Sequence, residues 1–363
     1  MSLKSSLKEK FGNTGLWKVA RRINGVRKSL LRYVYVFGAF LLGWCSWDKL
    51  KAYIREDTRT MRKGWAQYEG REFDAPTKYN GKRILTLDEA NKFIGDAIEA
   101  GAPFMAGRYG NVELNATWRV RDDGKGFMAP YKAALSPMCS NAGFFPEDKD
   151  MMMKFAMLMR QSTYQANIMG VWFNPMEEWM LRTYGNNPEY CRLHSLDPYV
   201  ASEPWSAKLE GKKVLVIHPF KKTIESQYAR RELLFPGRNV LPKFELRVVK
   251  AVQTIAGNRD ERFTDWFGAL EYMYNEAMKE DFDVAIIGCG AYGFPLAAKI
   301  KEAGKIAIHS GGATQLLFGI RGRRWEEQYR GALPEMLKNP AWVRPFEEDR
   351  PKGLETIEGG CYW

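Results

Sequence analysis

The residues most suited to chemistry in this chain are two clusters of glycine, each set immediately after an apolar run. Phe282-Asp283-Val284-Ala285-Ile286-Ile287 empties into Gly288-Cys289-Gly290-Ala291-Tyr292-Gly293, and a helical pattern then runs to about Ala303. Ile306-Ala307-Ile308 follows and leads into His309-Ser310-Gly311-Gly312. A strand that turns on glycines into a helix presents free backbone N–H groups at the positive end of a helix dipole, which suits phosphate or another anion. The expected ligand is a nucleotide or a phosphorylated sugar. The first turn also satisfies G-x-G-x-x-G in its proper strand-to-helix context. A nicotinamide or flavin enzyme, however, would place Asp or Glu at the end of the next strand, about 20 residues on. His309 and Ser310 stand there instead. The alternative is that the glycines serve only tight turning and helix packing, and two such turns on successive strands argue against it.

In an open parallel sheet, ligands lie outside the carboxyl ends of the strands. After a short strand at 103–106 comes Gly107-Arg108-Tyr109-Gly110-Asn111-Val112-Glu113-Leu114, and after a strand at 213–217 comes His218-Pro219-Phe220-Lys221-Lys222. Arg108 could grip a phosphate through two parallel hydrogen bonds. Glu113 could bind a divalent cation or take a proton. The same pair, five residues apart, is also an ordinary one at a helix start. His218 and His309 are candidates for proton transfer or hydroxyl contacts, or are structural residues at strand ends. Arg321, Arg323 and Arg324 either extend the anion site or end a solvated basic helix.

The elements that must position these residues alternate regularly beyond residue 80. Thr86-Leu87-Asp88-Glu89 reads as a capping box opening a helix to about Ala100. A Met-rich helical pattern spans about 146–164, and its methionines at 151–159 read as core. A strand at 168–173 precedes a helix started by Asn174 and Pro175. Then come the 213–217 strand, a helix near 224–234, a strand at 245–249 and a helix at about 265–279. This pattern predicts an α/β fold with a mainly parallel, Rossmann-like sheet covered by helices on both faces. It predicts an α/β domain over 80–338 and an irregular tail over 339–363.

Charge is unevenly distributed. Residues 1–63 hold fifteen Lys and Arg against four acidic residues, so this segment carries +11 of the chain's net +12. Within it lies Tyr33-Val34-Tyr35-Val36-Phe37-Gly38-Ala39-Phe40-Leu41-Leu42-Gly43-Trp44-Cys45-Ser46-Trp47, shorter than the ~20 residues that a spanning helix needs. It begins late for a signal peptide and lacks a cleavage pattern. The segment therefore predicts a basic, aromatic helical arm that attaches to the anionic inner face of the plasma membrane. A core helix with solvated charged ends is the alternative reading. Nucleic acid is not the expected partner, because the basic residues flank an apolar block instead of interleaving with aromatics. Five scattered cysteines without C-x-x-C and three histidines without H-E-x-x-H spacing point to a reduced, cytoplasmic chain in which any metal would need oxygen ligands.

Over roughly residues 85–325 the chain resembles the GT-D class of bacterial glycosyltransferases. Ala106-Gly107-Arg108-Tyr109-Gly110-Asn111-Val112-Glu113-Leu114 is similar to that class's R-[FY]-G-D-G-E-L segment. The stretch 283–293 followed by His309-Ser310-Gly311-Gly312-Ala313-Thr314-Gln315 resembles its glycine-rich C-terminal half. The resemblance implies a Rossmann-like transferase that passes a sugar from a nucleotide sugar, UDP-linked in the first instance, to a glycan or lipid-linked acceptor in surface polysaccharide or glycoconjugate assembly. It also implies a divalent metal (Mn or Mg) on an Asp-x-Glu motif, whose positions here are Asn111 and Glu113. Asn offers a carbonyl oxygen without charge, so a metal would be held more weakly, differently, or not at all. On this reading Gly107, Gly288, Gly290, Tyr292, Gly293, Gly311, Gly312 and Thr314 line the donor phosphates or ribose. Arg108 is then the charge clamp, and Glu113 the base or metal ligand. A dinucleotide oxidoreductase and a non-catalytic nucleotide-sugar-binding or assembly protein remain the alternatives.

Overall fold

A computed structural model describes residues 30–68, 73–255, 258, 260–328 and 333–350. The expectations for residues 1–29 and 351–363 lie outside the described residues. Seven strands form one parallel sheet: β1 (Phe104–Gly107), β2 (Ile168–Val171), β3 (Glu189–Arg192), β4 (Lys213–His218), β5 (Glu245–Lys250), β6 (Val284–Ile287) and β7 (Ile306–His309). Their spatial order is β3-β2-β1-β7-β6-β4-β5, with every pairing parallel. The parallel α/β architecture is thus as the alternation predicts.

Successive residues of each strand enter opposite cores, as the two-residue period of a strand requires. Met105, Leu215, Ile217, Ala285 and Ile287 face one core, and Phe104, Ala106, Val214, Val216, Ile286 and Ile308 face the other. Helices α1 (Trp47–Tyr68), α3 (Asn111–Trp118), α4 (Lys132–Asn141), α5 (Lys149–Tyr164), α6 (Glu177–Tyr184), α8 (Trp266–Met278) and α9 (Gly293–Glu302) bury apolar residues in the first core. Helices α2 (Leu87–Ala100), α7 (Lys221–Ala229) and α10 (Thr314–Leu317) bury theirs in the second. The capping box closes on α2: Glu89 N–H donates to Thr86 Oγ1 at 3.3 Å and Thr86 N–H to Glu89 Oε2 at 2.9 Å.

The expected boundary at residue 63 falls inside α1, and that helix is built into the body. Lys49, Tyr53 and Glu56 on it are fully buried. Lys49 Nζ pairs with Asp122 at 2.8 Å and donates to Val120 O at 2.9 Å. Glu56 accepts the N–H groups of Glu178 and Trp179, both at 3.0 Å, and so caps α6 across the sheet's flank. The start of the expected tail is also anchored: Trp342 is fully buried, and Asp349 Oδ2 accepts Thr223 N–H at 2.8 Å, close to the N-terminus of α7.

Candidate functional site

The sheet order brings the inspected strand ends into one row. Ala106 is in register with Ile308, Ile287 with His309, and Ile217 with Ile287. The residues just beyond β1, β7, β6 and β4 therefore lie side by side, over three strand spacings of about 4.8 Å each. The chain leaves β1 toward one core, through α3, and leaves the adjacent β7 toward the other, through α10. Neighbouring strands whose continuations diverge to opposite faces open a crevice at their carboxyl ends. The same divergence occurs between β6, which continues into α9, and β4, which continues into α7. Arg108 and Gly311 flank the first crevice; Gly288 and His218 flank the second.

Arg108 lies directly on the Gly311 turn. Gly311 adopts φ +64°, and a Cβ there would sit 2.0 Å from Arg108 Nη2, so only glycine admits the guanidinium. Arg108 makes one marginal bond, Nη1 to Tyr109 O at 3.5 Å, and its buried Nε has no partner. Among the described residues it makes no ion pair, although the Glu113 carboxylate is near enough for the two charges to interact. A half-buried guanidinium held against backbone and engaged in no ion pair keeps donors free for an anion's oxygens.

Glu113 sits on the first turn of α3, and its carboxylate folds back over Gly110, where a Cβ would be 1.9 Å from Oε2. Burial raises its pKa above the ordinary carboxylate value, opposed by its own backbone N–H and by the nearby charge of Arg108. Asn111 is exposed, and its Oδ1 and backbone oxygen both accept from Asn115 Nδ2. Residues two apart on a helix do not face each other. Asn111 Oδ1 is engaged by Asn115 while the Glu113 carboxylate lies over Gly110, and among the described residues no three His, Cys, Asp or Glu side chains converge on a cation position.

The two histidines are buried, neutral and opposite in tautomer. His218 Nδ1 accepts Phe220 N–H at 3.1 Å, which leaves the ring proton on Nε2. His309 Nδ1 lies 3.3 Å from Ile287 O; a carbonyl can only accept, so the proton is on Nδ1 and Nε2 keeps its lone pair. Burial lowers both pKa values to about 3, helped at His309 by Arg108.

The glycines divide by role. A Cβ on Gly288 would meet His218 Cδ2 at 2.6 Å and Thr314 Oγ1 at 2.7 Å, and one on Gly293 would meet His309 Cε1 at 2.3 Å. Gly107 packs on Phe294. These three allow side chains of the row to close on backbone. Gly290, at φ +60° and exposed, shapes the turn itself. Gly312 is half-buried in a short 3-10 turn, Gly311–Ala313, and Thr314 opens a helix of four residues that is too short to carry a useful dipole. Thr314 Oγ1 instead bonds Ser310 Oγ at 2.7 Å. Tyr292 is turned away from the row: its ring stacks on Trp266 at 4.6 Å and its hydroxyl meets Thr254 Oγ1 at 2.8 Å. Arg321 Nη1 reaches toward Leu337 O at 3.5 Å and Arg323 pairs with Glu327 on its own helix.

Trp172, in the loop beyond β2, also reaches the row and was missed from the sequence. Arg108 lies over the Trp172 ring, 5.9 Å from its centroid. The strand-end rule that selects Arg108 would have selected it, had the 168–173 strand been ended two residues earlier.

No protein-family model and no curated protein matches the chain. Among solved structures, one of domain of unknown function 1792 in selenomethionine form superposes with a TM-score of 0.38 and 12% identity, covering 64% of this chain and 78% of that one. A second, of the same domain and described as having a distinct glycosyltransferase fold, gives 0.37 and 11%, covering 63% and 77%.

Proposed function

We propose that this chain is a glycosyltransferase that takes a sugar from a nucleotide diphosphate sugar, UDP-linked in the first instance, and passes it to a glycan or lipid-linked acceptor. The observation that carries this reading is Arg108, a guanidinium in no ion pair laid on the Gly311 turn at a topological switch point. In the transfer, an acceptor hydroxyl oxygen attacks the anomeric carbon, and the bond from that carbon to the diphosphate breaks, its electron pair leaving with the phosphate. Arg108 neutralises the charge that develops there. The acceptor's proton passes to Glu113, whose raised pKa suits a general base; His309, held by burial at about 3, is too weak a base for that step. Glu113 and the Asn111 carbonyl oxygen would be the ligands of a divalent metal, and no step here is routed through one. His309 and Ser310 at the end of β7, where a dinucleotide enzyme needs an acid, favour this reading over an oxidoreductase.

The role in surface polysaccharide or glycoconjugate assembly is supported by the arm. Helix 30–41 leaves Leu30, Val34, Phe37 and Leu41 at 53–68% exposure, an apolar stripe beside a strongly basic segment. No helix among the described residues is long and apolar enough to cross a membrane. Shallow attachment to an anionic leaflet would bring the row to lipid-carried acceptors. Titration calorimetry with UDP, a panel of UDP-sugars and NAD(P), with and without manganese, tests the function. Binding of UDP-sugars is the expected result; binding of NAD alone overturns the proposal.

A further inference from the structure

The loop that follows β2 has a satisfied backbone and unsatisfied side chains. β2 is the neighbour of β1, with Met169 in register with Gly107, so the loop lies beside Arg108. Glu177 Oε2 accepts the N–H groups of Trp172, Phe173 and Asn174 at 3.2, 2.8 and 3.3 Å, together with the Tyr79 hydroxyl at 3.1 Å. From α1, Lys63 donates to Trp172 O at 2.7 Å and Thr60 to Phe173 O at 3.1 Å. These bonds hold Phe173 at φ +63° and Met176 at φ +67°, a conformation that bulky side chains rarely adopt. Strain that persists because its surroundings over-determine it is a mark of functional loops. Trp172 Nε1 and Asn174 Nδ2, both buried, have no partner, and neither has Arg108 Nε. Beside them the loop holds one unpaired acceptor, Glu177 Oε1, so three unpaired donors stand against one acceptor and call for a ligand that offers oxygen.

We infer that Trp172 and Asn174 form a sugar subsite adjoining the diphosphate clamp, in which the indole N–H and the amide N–H donate to hydroxyl oxygens of the donor sugar. This rests on the proposed function, since Arg108 fixes the diphosphate to which that sugar is joined. An acceptor sugar has the same chemistry, and the test separates the two.

The full chain and its Trp172→Phe and Asn174→Ala variants are titrated with UDP and with a panel of common UDP-sugars, and their melting temperatures are taken without ligand. The wild type should bind one UDP-sugar more tightly than UDP. Each variant should lose about five- to tenfold for that UDP-sugar, the worth of one hydrogen bond, with UDP affinity unchanged. The unliganded melting temperature should not fall, because an unpaired buried donor stabilises nothing in the free protein. Equal losses for UDP and UDP-sugar overturn the subsite, as does a lower melting temperature without a sugar-specific loss. A rise in acceptor KM alone reassigns the residues to the acceptor and overturns the donor-sugar claim. A wild type that binds UDP but no UDP-sugar more tightly overturns the subsite alone, whereas one that binds neither overturns the proposed function with it.

Discussion

At the scale of single residues, Arg108 and the glycines make opposite kinds of prediction. Arg108 has no carboxylate partner and only a marginal bond, so its removal costs the fold little. Arg108→Ala should lower transfer kcat/KM by about 10²–10³, the usual effect of deleting a charge-stabilising donor, while the melting temperature stays near wild type. Arg108→Lys should recover little, because an ammonium cannot lie flat on the Gly311 turn and present two parallel donors. Gly288→Ala should act through stability, since the new methyl meets the His218 ring and Thr314 Cβ, neither of them the end of a flexible chain. A cost of about 1–3 kcal/mol is expected for such overpacking, read as a fall in denaturation midpoint. These roles were unevenly legible. Arg108 followed from the strand-end rule, whereas the reason for glycine at 288 depends on a histidine and a threonine from two other segments of the chain.

At the scale of elements, buried carboxylates tie α1 and α6 to the row. Glu56 caps α6, and Glu177 gathers the loop after β2. Burial raises Glu56 to about 8 and Glu177 to about 7, from an ordinary 4.5. Glu177 Oε2 accepts all four donors while its Oε1 has no partner. Both groups bind protons more tightly folded than unfolded, so their contribution is full below about pH 4.5 and is lost as pH rises through 7 and 8. His218 and His309 work in the other direction: lowered from 6.5 to about 3, they cost stability as pH falls below 6.5. Thermal stability should therefore peak between about pH 4.5 and 6.5. Glu56→Gln and Glu177→Gln should each flatten the decline toward pH 8.5, measured by melting curves across pH; an unchanged slope refutes the assignment.

At the scale of the whole molecule, the arm splits into two parts with different duties. Helix 30–41 shows an apolar stripe, but α1 behind it belongs to the core. Deleting residues 1–63 would remove Lys49, Tyr53 and Glu56 from the body, so the loss of lipid binding in that truncation would report unfolding. Asp at Val34, Phe37 and Leu41 is the cleaner change. This triple variant should no longer pellet with vesicles containing phosphatidylserine, at unaltered melting temperature, and wild-type binding should weaken as salt rises. Equal pelleting of variant and wild type removes the membrane from the account.

The sequence by itself determined the alternation of strands and helices, the capping box on α2, the charge of the arm and the presence of Arg and Gly at strand ends. All of these are local: a period, a cap or a turn is written in a few consecutive residues. The edge strand β3, with its polar Glu189 and Arg192, carries no such period and is not legible in the sequence. Strand order was decided only by the tertiary structure. So was the meeting of Arg108 with a turn some two hundred residues away, the burial of α1, and the choice of which donors beyond β2 stay unpaired. The physical reason is that side-chain identity fixes what a group can bond, while the packing of distant segments fixes whether a partner is there.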